Sequence, residues 1–296
     1  MHSQQQVCHA GPMEKEIIFT EGFQAETGID FTNRRLKVLS YEAGDHFRLA
    51  ERIKGLAQEK KLGKVLFNSR KEGCLDLERA GFVLEGTIPG FFNGKDAYCY
   101  SYFIDPARSR SRYLEEEDRI LMEVTGSKAP EKSEAKLPAG YNLREVREDD
   151  VEGLVSLYKS VFASYPSPLF DPGYILDVMK DQVYFLAVFK NSVLVSAGSA
   201  EMDIINQNAE ITDLATDPGA RGLGLVTAVM KALEAEMCER RLNCLYSLSR
   251  AGVPGVNRAL YKLGYSFKGR LINNCHIGGR FENMNVWVKL PQFALG

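Results

Sequence analysis

The chain predicts an α/β fold of the α+β type: a mixed central sheet with flanking helices fills its second half and is echoed in reduced form in its first. Three observations predict it. Ala209–Val226 runs from an alternating strand through a Gly-rich turn directly into a helix. Segments of strand and helix period alternate through residues 140–296. A pattern from that half also recurs earlier, because Leu62–Arg70 superimposes on Leu242–Arg250, and Ala80-Gly81-Phe82 then falls on Leu263-Gly264-Tyr265 after a three-residue gap.

In chain order, Met1–Pro12 has no periodicity and reads as a disordered lead. Phe47, Ala50, Ile53 and Ala57 give a helix its apolar stripe ahead of the strand at Leu62–Arg70. Ser127–Lys136 is polar, charged and Pro-containing, the composition of a solvated linker. The expected organisation is therefore a degenerate half-domain at 14–125, a linker at 126–139 and a complete domain at 140–296. In the latter, Tyr141–Val146 reads as a strand and Asp149–Phe162 as an amphipathic helix with acidic residues at its start. Val183–Phe189 and Ser192–Met202 read as a hairpin around Lys190-Asn191. Leu223–Arg240 carries Val226, Met230, Leu233 and Met237 on one helical face, and Cys244–Leu248 reads as a buried strand. A short helix containing Tyr261 follows, and Val286, Val288 and Leu290 alternate in a closing strand.

At 296 residues the chain has room for two cores. A formal net charge of −2 argues against a nucleic-acid binder. Cys8, Cys74, Cys99, Cys238, Cys244 and Cys275 show no Cys-x-x-Cys spacing, so reduced core thiols are expected rather than a disulfide framework or a metal site. No apolar run reaches the length of a membrane span and no signal-peptide core precedes the first strand, which predicts a cytoplasmic protein without a membrane partner. Monomer and homodimer both fit this composition.

The Gly-rich turn carries the chemistry. Arg221-Gly222-Leu223-Gly224 presents backbone N–H groups at a helix N-terminus, where the dipole favours an anion, so a nucleotide pyrophosphate is the expected ligand. The turn lacks the Gly-Lys-Ser/Thr of a P-loop and the three spaced glycines of a dinucleotide fold. Arg-x-x-Gly after Thr216-Asp217-Pro218 instead resembles the acetyl-coenzyme A loop of the GCN5-related N-acetyltransferases, the GNAT family, whose pattern is Arg/Gln-x-x-Gly-x-Gly/Ala; Val226 departs from it at the last position. Asn257, Tyr261 and Leu263-Gly264-Tyr265 resemble the Asn…Tyr-x-x-x-Gly-Phe/Tyr element that follows the fifth strand in that family.

The resemblance implies acetyl-CoA as co-substrate and no metal. It places the cofactor on Leu214, Ala215 and Thr216, on Arg221, Gly222, Leu223, Gly224, Leu225 and Val226, and on Asn257. The same resemblance makes Glu210 the first choice of general base, six residues before Thr216, and Tyr261 the candidate acid. Asp213, expected on the opposite face of the strand by simple alternation, is the second choice of base. Glu210 as a solvated edge carboxylate and Tyr261 as a core aromatic are the structural alternatives. In the first half, the superposition sets Tyr41-Glu42-Ala43-Gly44 against the Gly-rich turn, which puts an acidic side chain where the phosphate would lie.

Longer strings look like those of the beta-lysine N-acetyltransferases: Glu210–Thr216, Ser164-Tyr165-Pro166, Glu282–Lys289 and, in the first half, Glu85–Gly94. That resemblance implies a small-molecule amine substrate, (3S)-3,6-diaminohexanoate, acetylated on its terminal amine to the compatible solute N-epsilon-acetyl-beta-lysine, a role in osmoadaptation. Such a zwitterion needs a cation for its carboxylate and an acidic or aromatic partner for its second ammonium, and Tyr165, Arg250, Arg280 and Glu282 are the candidates. A protein, peptide or polyamine N-acetyltransferase and a non-catalytic acetyl-CoA-binding module remain the alternatives.

Overall fold

The computed structural model describes residues 13–126 and 137–291. The expected disordered lead, with Cys8, and the core of the expected linker, Ser127–Lys136, lie outside the described residues. In the first half the chain forms β1 (Glu14–Thr20), β2 (Phe23–Asp30), β3 (Arg35–Ala43), α1 (His46–Glu59), β4 (Lys64–Ser69), α2 (Cys74–Arg79), β5 (Val83–Phe92), β6 (Lys95–Phe103) and α3 (Leu114–Gly126). In the second half it forms β7 (Tyr141–Glu145), α4 (Val151–Val161), α5 (Pro172–Lys180), β8 (Val183–Lys190), β9 (Val193–Asp203), β10 (Asn208–Thr216) and α6 (Leu225–Glu239). The chain closes with β11 (Cys244–Arg250), α7 (Pro254–Lys262), β12 (Ser266–Ile277) and β13 (Arg280–Lys289). The β8–β9 hairpin turns on Asn191 and Ser192, both at positive φ (48° and 66°), which suits the twist of the flanking strands.

Among the described residues all 13 strands join one mixed sheet in the order β1-β2-β3-β4-β6-β5-β12-β13-β11-β10-β9-β8-β7. Read outward from its centre, the sheet repeats itself. β5-β6-β4-β3-β2-β1 on one side matches β12-β13-β11-β10-β9-β8 on the other, with α1 and α6 in the equivalent crossovers. The same order twice is the pattern an internal duplication produces. Only the second half adds β7, at the edge of the sheet, and α4 and α5, which cover the sheet face opposite α6.

The halves meet at equivalent glycines, Gly86 of β5 and Gly269 of β12. A Cβ on Gly269 would fall 2.3 Å from both the Glu85 carbonyl oxygen and the Gly86 Cα, and its φ of +144° is left-handed territory besides. Beyond the junction each strand crosses onto the other half. Asn208 Nδ2 donates to the Phe91 carbonyl at 2.8 Å, and its counterpart Arg35 donates to the Asn274 carbonyl at 3.0 Å. Glu85 binds the junction chemically: it accepts from Lys64 Nζ (2.7 Å), from the Ile272 N–H (2.8 Å) and from the Ser101 hydroxyl. Lys64 is buried there, and burial pulls its ammonium down to about 8. Ile88, Cys99, Cys244, Leu271, Met284 and Val286 form an apolar layer between the halves.

The helix α3 crosses over as well. It belongs to the first half by sequence, yet Val124 is buried in the core beneath α6 and α7. Among the described residues no helix is long and apolar enough to cross a membrane.

Candidate active site

Two departures from regular sheet geometry create the site. First, the parallel pairing of β10 with β11 spans only Asn208–Glu210 against Cys244–Tyr246, after which the strands part. The backbone of Ile211–Thr216 pairs with β9 on one edge alone, leaving strand-forming groups free on the other. Second, a β-bulge lies between Thr212 and Ala215, where Asp213 and Leu214 oppose the single residue Gly198 and Asp213 takes φ +52°.

The bulge corrects an expectation. Alternation would set Asp213 opposite Glu210, among the apolar side chains beneath α6. The extra residue instead turns Asp213 to the same face as Glu210, where the Ser199 hydroxyl donates to it at 2.7 Å and the Tyr165 hydroxyl faces it.

On that face Glu201 of β9 stands directly across from Glu210, so two carboxylates oppose each other on paired strands with Asp213 close by. Like charges in this arrangement destabilise their ionised forms and titrate together. Burial pushes Glu210 up to about 8, helped by Glu201 and Asp213 and opposed by Lys37 of β3 and by a hydrogen bond with Tyr246. Burial and the Glu201 charge raise Asp213 to about 7, against the hydrogen bonds from Ser199 and Tyr165. Glu201, the most open of the three, is raised too, with Lys37 again the opposing charge. Glu201, Lys37 and Tyr246 were missed in the sequence, since only the strand register brings them to Glu210.

Glu210 and Tyr246 line a cavity of about 690 Å³ whose far wall is the first half: Lys37, Tyr41, Arg70, Phe92 and Tyr100. The loop between α4 and α5 carries Tyr165 and is fastened at two points. Asn33 Nδ2 donates to the Pro166 carbonyl from the first half (3.3 Å), and the Gly278 N–H donates to the Ser164 hydroxyl from the second (2.8 Å).

The Gly-rich turn sits at the end of β10. Asp217 accepts from the Gly219 N–H at 2.8 Å to close a short 3-10 turn, after which Arg221, Gly222, Leu223 and Gly224 are exposed. Gly222 and Gly224 take φ of +80° and +73°, and no heavy atom lies within 4 Å of the place a Cβ would occupy on either. Gly224 is the N-cap of α6 and supplies no side-chain oxygen, so the first N–H groups, from Leu225 and Val226 onward, lack a side-chain cap. At α1 the corresponding start is filled, because Asp45 accepts from the Arg48 N–H at 2.9 Å. Glu42, the acid expected there, is exposed within β3 and pairs with Gln24; the superposition had set a strand against a loop.

Asn257 cannot serve a cofactor through its side chain. Its Oδ1 accepts from Ser249, Asn285 and Trp287, each at 2.9 Å, and its Nδ2 donates to the Arg250 and Val253 carbonyls. With every donor and acceptor used, it locks α7 onto β11 and β13. Tyr261 is half-buried near Trp287, and its hydroxyl donates to the Thr125 carbonyl at the end of α3 (2.8 Å). Arg250 shares the cavity-facing side of β11 with Tyr246 and Leu248. Arg280 and Glu282 lie elsewhere: they pair with each other at 3.0 Å, and Arg280 lines a separate 260 Å³ cavity with Tyr113. Expected at the substrate, they satisfy one another away from the carboxylate cluster.

Residues 151–265 match the family described as Acetyltransferase (GNAT) family. The chain is 38% identical over 261 residues to a beta-lysine N(6)-acetyltransferase of Methanosarcina mazei, an alignment covering 82% of this chain and 96% of that one. The chain belongs to the GNAT family. It is also 33% identical to the N-acetyltransferase YodP of Bacillus subtilis, over 92% of this chain and 98% of that one. A beta-lysine N(6)-acetyltransferase of Methanococcus maripaludis is 32% identical, over 82% and 88%. This GNAT enzyme is therefore an acetyl-CoA-dependent N-acetyltransferase, and its residues fit that co-substrate. The uncapped start of α6 and the two open glycines offer backbone N–H groups suited to a pyrophosphate, and the parted edge of β10 offers unpaired strand groups suited to an amide-bearing arm.

Proposed function

We propose that this acetyltransferase modifies the terminal amine of a small diamino acid, beta-lysine, giving N-epsilon-acetyl-beta-lysine. The observation that carries this reading is the cluster of Glu201, Glu210 and Asp213, set where β10 and β11 part, whose Glu210 lines a cavity walled by both halves. A walled cavity suits a small amine better than a peptide, which needs an open groove. Acetylation removes one positive charge from the diamino acid and leaves a net-neutral zwitterion, a suitable property in a compatible solute.

Arg221 and the N–H groups of Gly222–Val226 hold the pyrophosphate, and the free backbone of Leu214–Thr216 holds the pantetheine arm. Acetyl-CoA supplies an acyl thioester. The remaining chemistry is a proton problem, since an amine with its pKa near 10 arrives as an ammonium. Glu210 takes that proton. Its raised carboxyl matches a base working near neutral pH, and such a base is worth on the order of 10²–10⁴ in rate. Asp213, steadied by Ser199 and Tyr165, and Glu201 keep the pocket acidic and so favour an ammonium entering it. As the carbon–sulfur bond breaks, Tyr261 turns its hydroxyl proton from the Thr125 carbonyl to the departing thiolate and regains one from the nitrogen as the amide forms. Arg250, on the cavity-facing side of β11, is a further contact for the substrate.

Screening diamino acids, polyamines and peptides for acetyl-CoA-dependent thiol release tests the reading. The expected result is a preference for the diamino acid, with mass spectrometry placing the acetyl group on its terminal amine. A preference for peptides would overturn it.

A further inference from the structure

The repeated strand order gives every residue of β10 a counterpart on β3. Glu210 pairs with Tyr246 of β11, and Lys37 pairs with Leu66 of β4 at the equivalent rung. The position that holds the candidate base in one half thus holds a cation in the other. Because the halves face each other across the cavity, the two side chains line the same space. Lys37 is half-buried, and among the described residues its ammonium forms no ion pair or hydrogen bond, although it is the cation nearest in effect to both Glu201 and Glu210. An ammonium and a carboxyl that share a cavity without touching leave room for something between them. A zwitterion, with an ammonium for the carboxylates and a carboxylate for the lysine, completes both.

We propose that Lys37 binds the carboxylate of the substrate, so that the first half supplies the determinant that selects an amino acid over a plain amine. This rests on the small-amine reading above and narrows it to molecules carrying an anion at the far end from the reacting amine. Arg70 is the cavity's other cation without a carboxylate partner. It stacks on Phe92 and Tyr41, 4.5 and 5.2 Å from their ring centroids. It lies near Tyr41, four positions and roughly 13 Å of strand rise along β3 from Lys37, and Lys37 rather than Arg70 is the cation that acts on Glu201 and Glu210.

The test compares 3,6-diaminohexanoate with pentane-1,4-diamine, the same skeleton without its carboxylate, in the full chain. The wild type should favour the amino acid by at least 100-fold in kcat/KM. Lys37→Met should raise KM for the amino acid tenfold or more while leaving KM for the diamine unchanged, and Lys37→Arg should restore most of the preference. Removing the positive charge beside Glu210 also alters the base, but that change enters kcat for both substrates equally and leaves their ratio alone. Arg70→Gln should preserve the ratio. Equal losses on both substrates, an unchanged KM in Lys37→Met, or a ratio that collapses in Arg70→Gln instead would overturn the assignment while leaving acetyl transfer intact. A wild type that acetylates peptides but neither compound would overturn the substrate class and the assignment together.

Discussion

The starts of α1 and α6 occupy equivalent places in the two halves and differ in the loop that leads into each and in the cap. At α6 an eight-residue loop ends in two left-handed glycines, and the first helical N–H groups have no side-chain cap. At α1 only Gly44 and Asp45 separate strand from helix, and the Asp45 carboxylate accepts from the Arg48 N–H at that helix start. A helix start can bind an anion or be capped by its own side chain, and here one start is capped while the other is left open. Capping favours the fold and abolishes the ligand site. The first half repeats the strand order of the second but closes the helix start that the second leaves open.

The strongest way to break the comparison is at the rung where Glu210 and Lys37 are counterparts. Glu210→Gln should lower kcat/KM by about 10²–10⁴ at neutral pH and erase the acidic limb of the pH profile, which reports the base in the free enzyme. A large loss in Asp213→Asn with a normal Glu210→Gln enzyme would move the base to the bulge.

The junction offers the next largest effect. Gly269→Ala forces a methyl group to within 2.3 Å of the Glu85 carbonyl at a left-handed φ, whereas Gly86→Ala meets its nearest neighbour at 3.1 Å with no such strain. We expect the former to cost about 2–4 kcal/mol in denaturant unfolding and the latter clearly less. Equal costs would mean that the two glycines are not the tight point between the halves.

Tyr261→Phe distinguishes chemistry from packing. As an acid, Tyr261 should on removal lower kcat about tenfold or more with little change in acetyl-CoA affinity. If its hydroxyl only ties α3 down through Thr125, the thermal midpoint should fall and kcat should hold.

The smallest expected effect concerns stability and pH. The folded chain keeps a proton on Glu210 between about pH 4.5 and 8 that the unfolded chain has released, so stability declines as pH rises through that window. Glu210→Gln should therefore raise the midpoint by about 2–4 °C at pH 9 and leave it nearly unchanged at pH 4. A uniform shift across pH would remove the carboxylate repulsion from the account.

Much of this was legible in the residues. The Gly-rich turn announces α6 because glycines at positive φ and a helix start leave a local signature, and the periodic segments of the second half matched strands and helices to within a few positions. The junction was not legible. The pairing of Gly86 with Gly269 is a contact between distant segments, and no local pattern marks a glycine as an interface. Asp213 was placed on the wrong face because a bulge adds one residue to a period of two, which alternation cannot foresee. Glu201 and Lys37 acquire meaning only through register across β9, β10 and the opposing half. Asn257 and Glu282 look functional by residue type, but their partners within the fold already use them.

The comparison rests most directly on counting acetyl-CoA sites by calorimetric titration of the full chain. One site per chain is expected, weakened at least tenfold when Gly224→Asp gives α6 the kind of carboxylate that α1 carries, and unaffected by Asp45→Ala. Two sites in the wild type, or a single site lost on replacing Asp45, would show that the first half had kept the binding function and would contradict the division of labour described here.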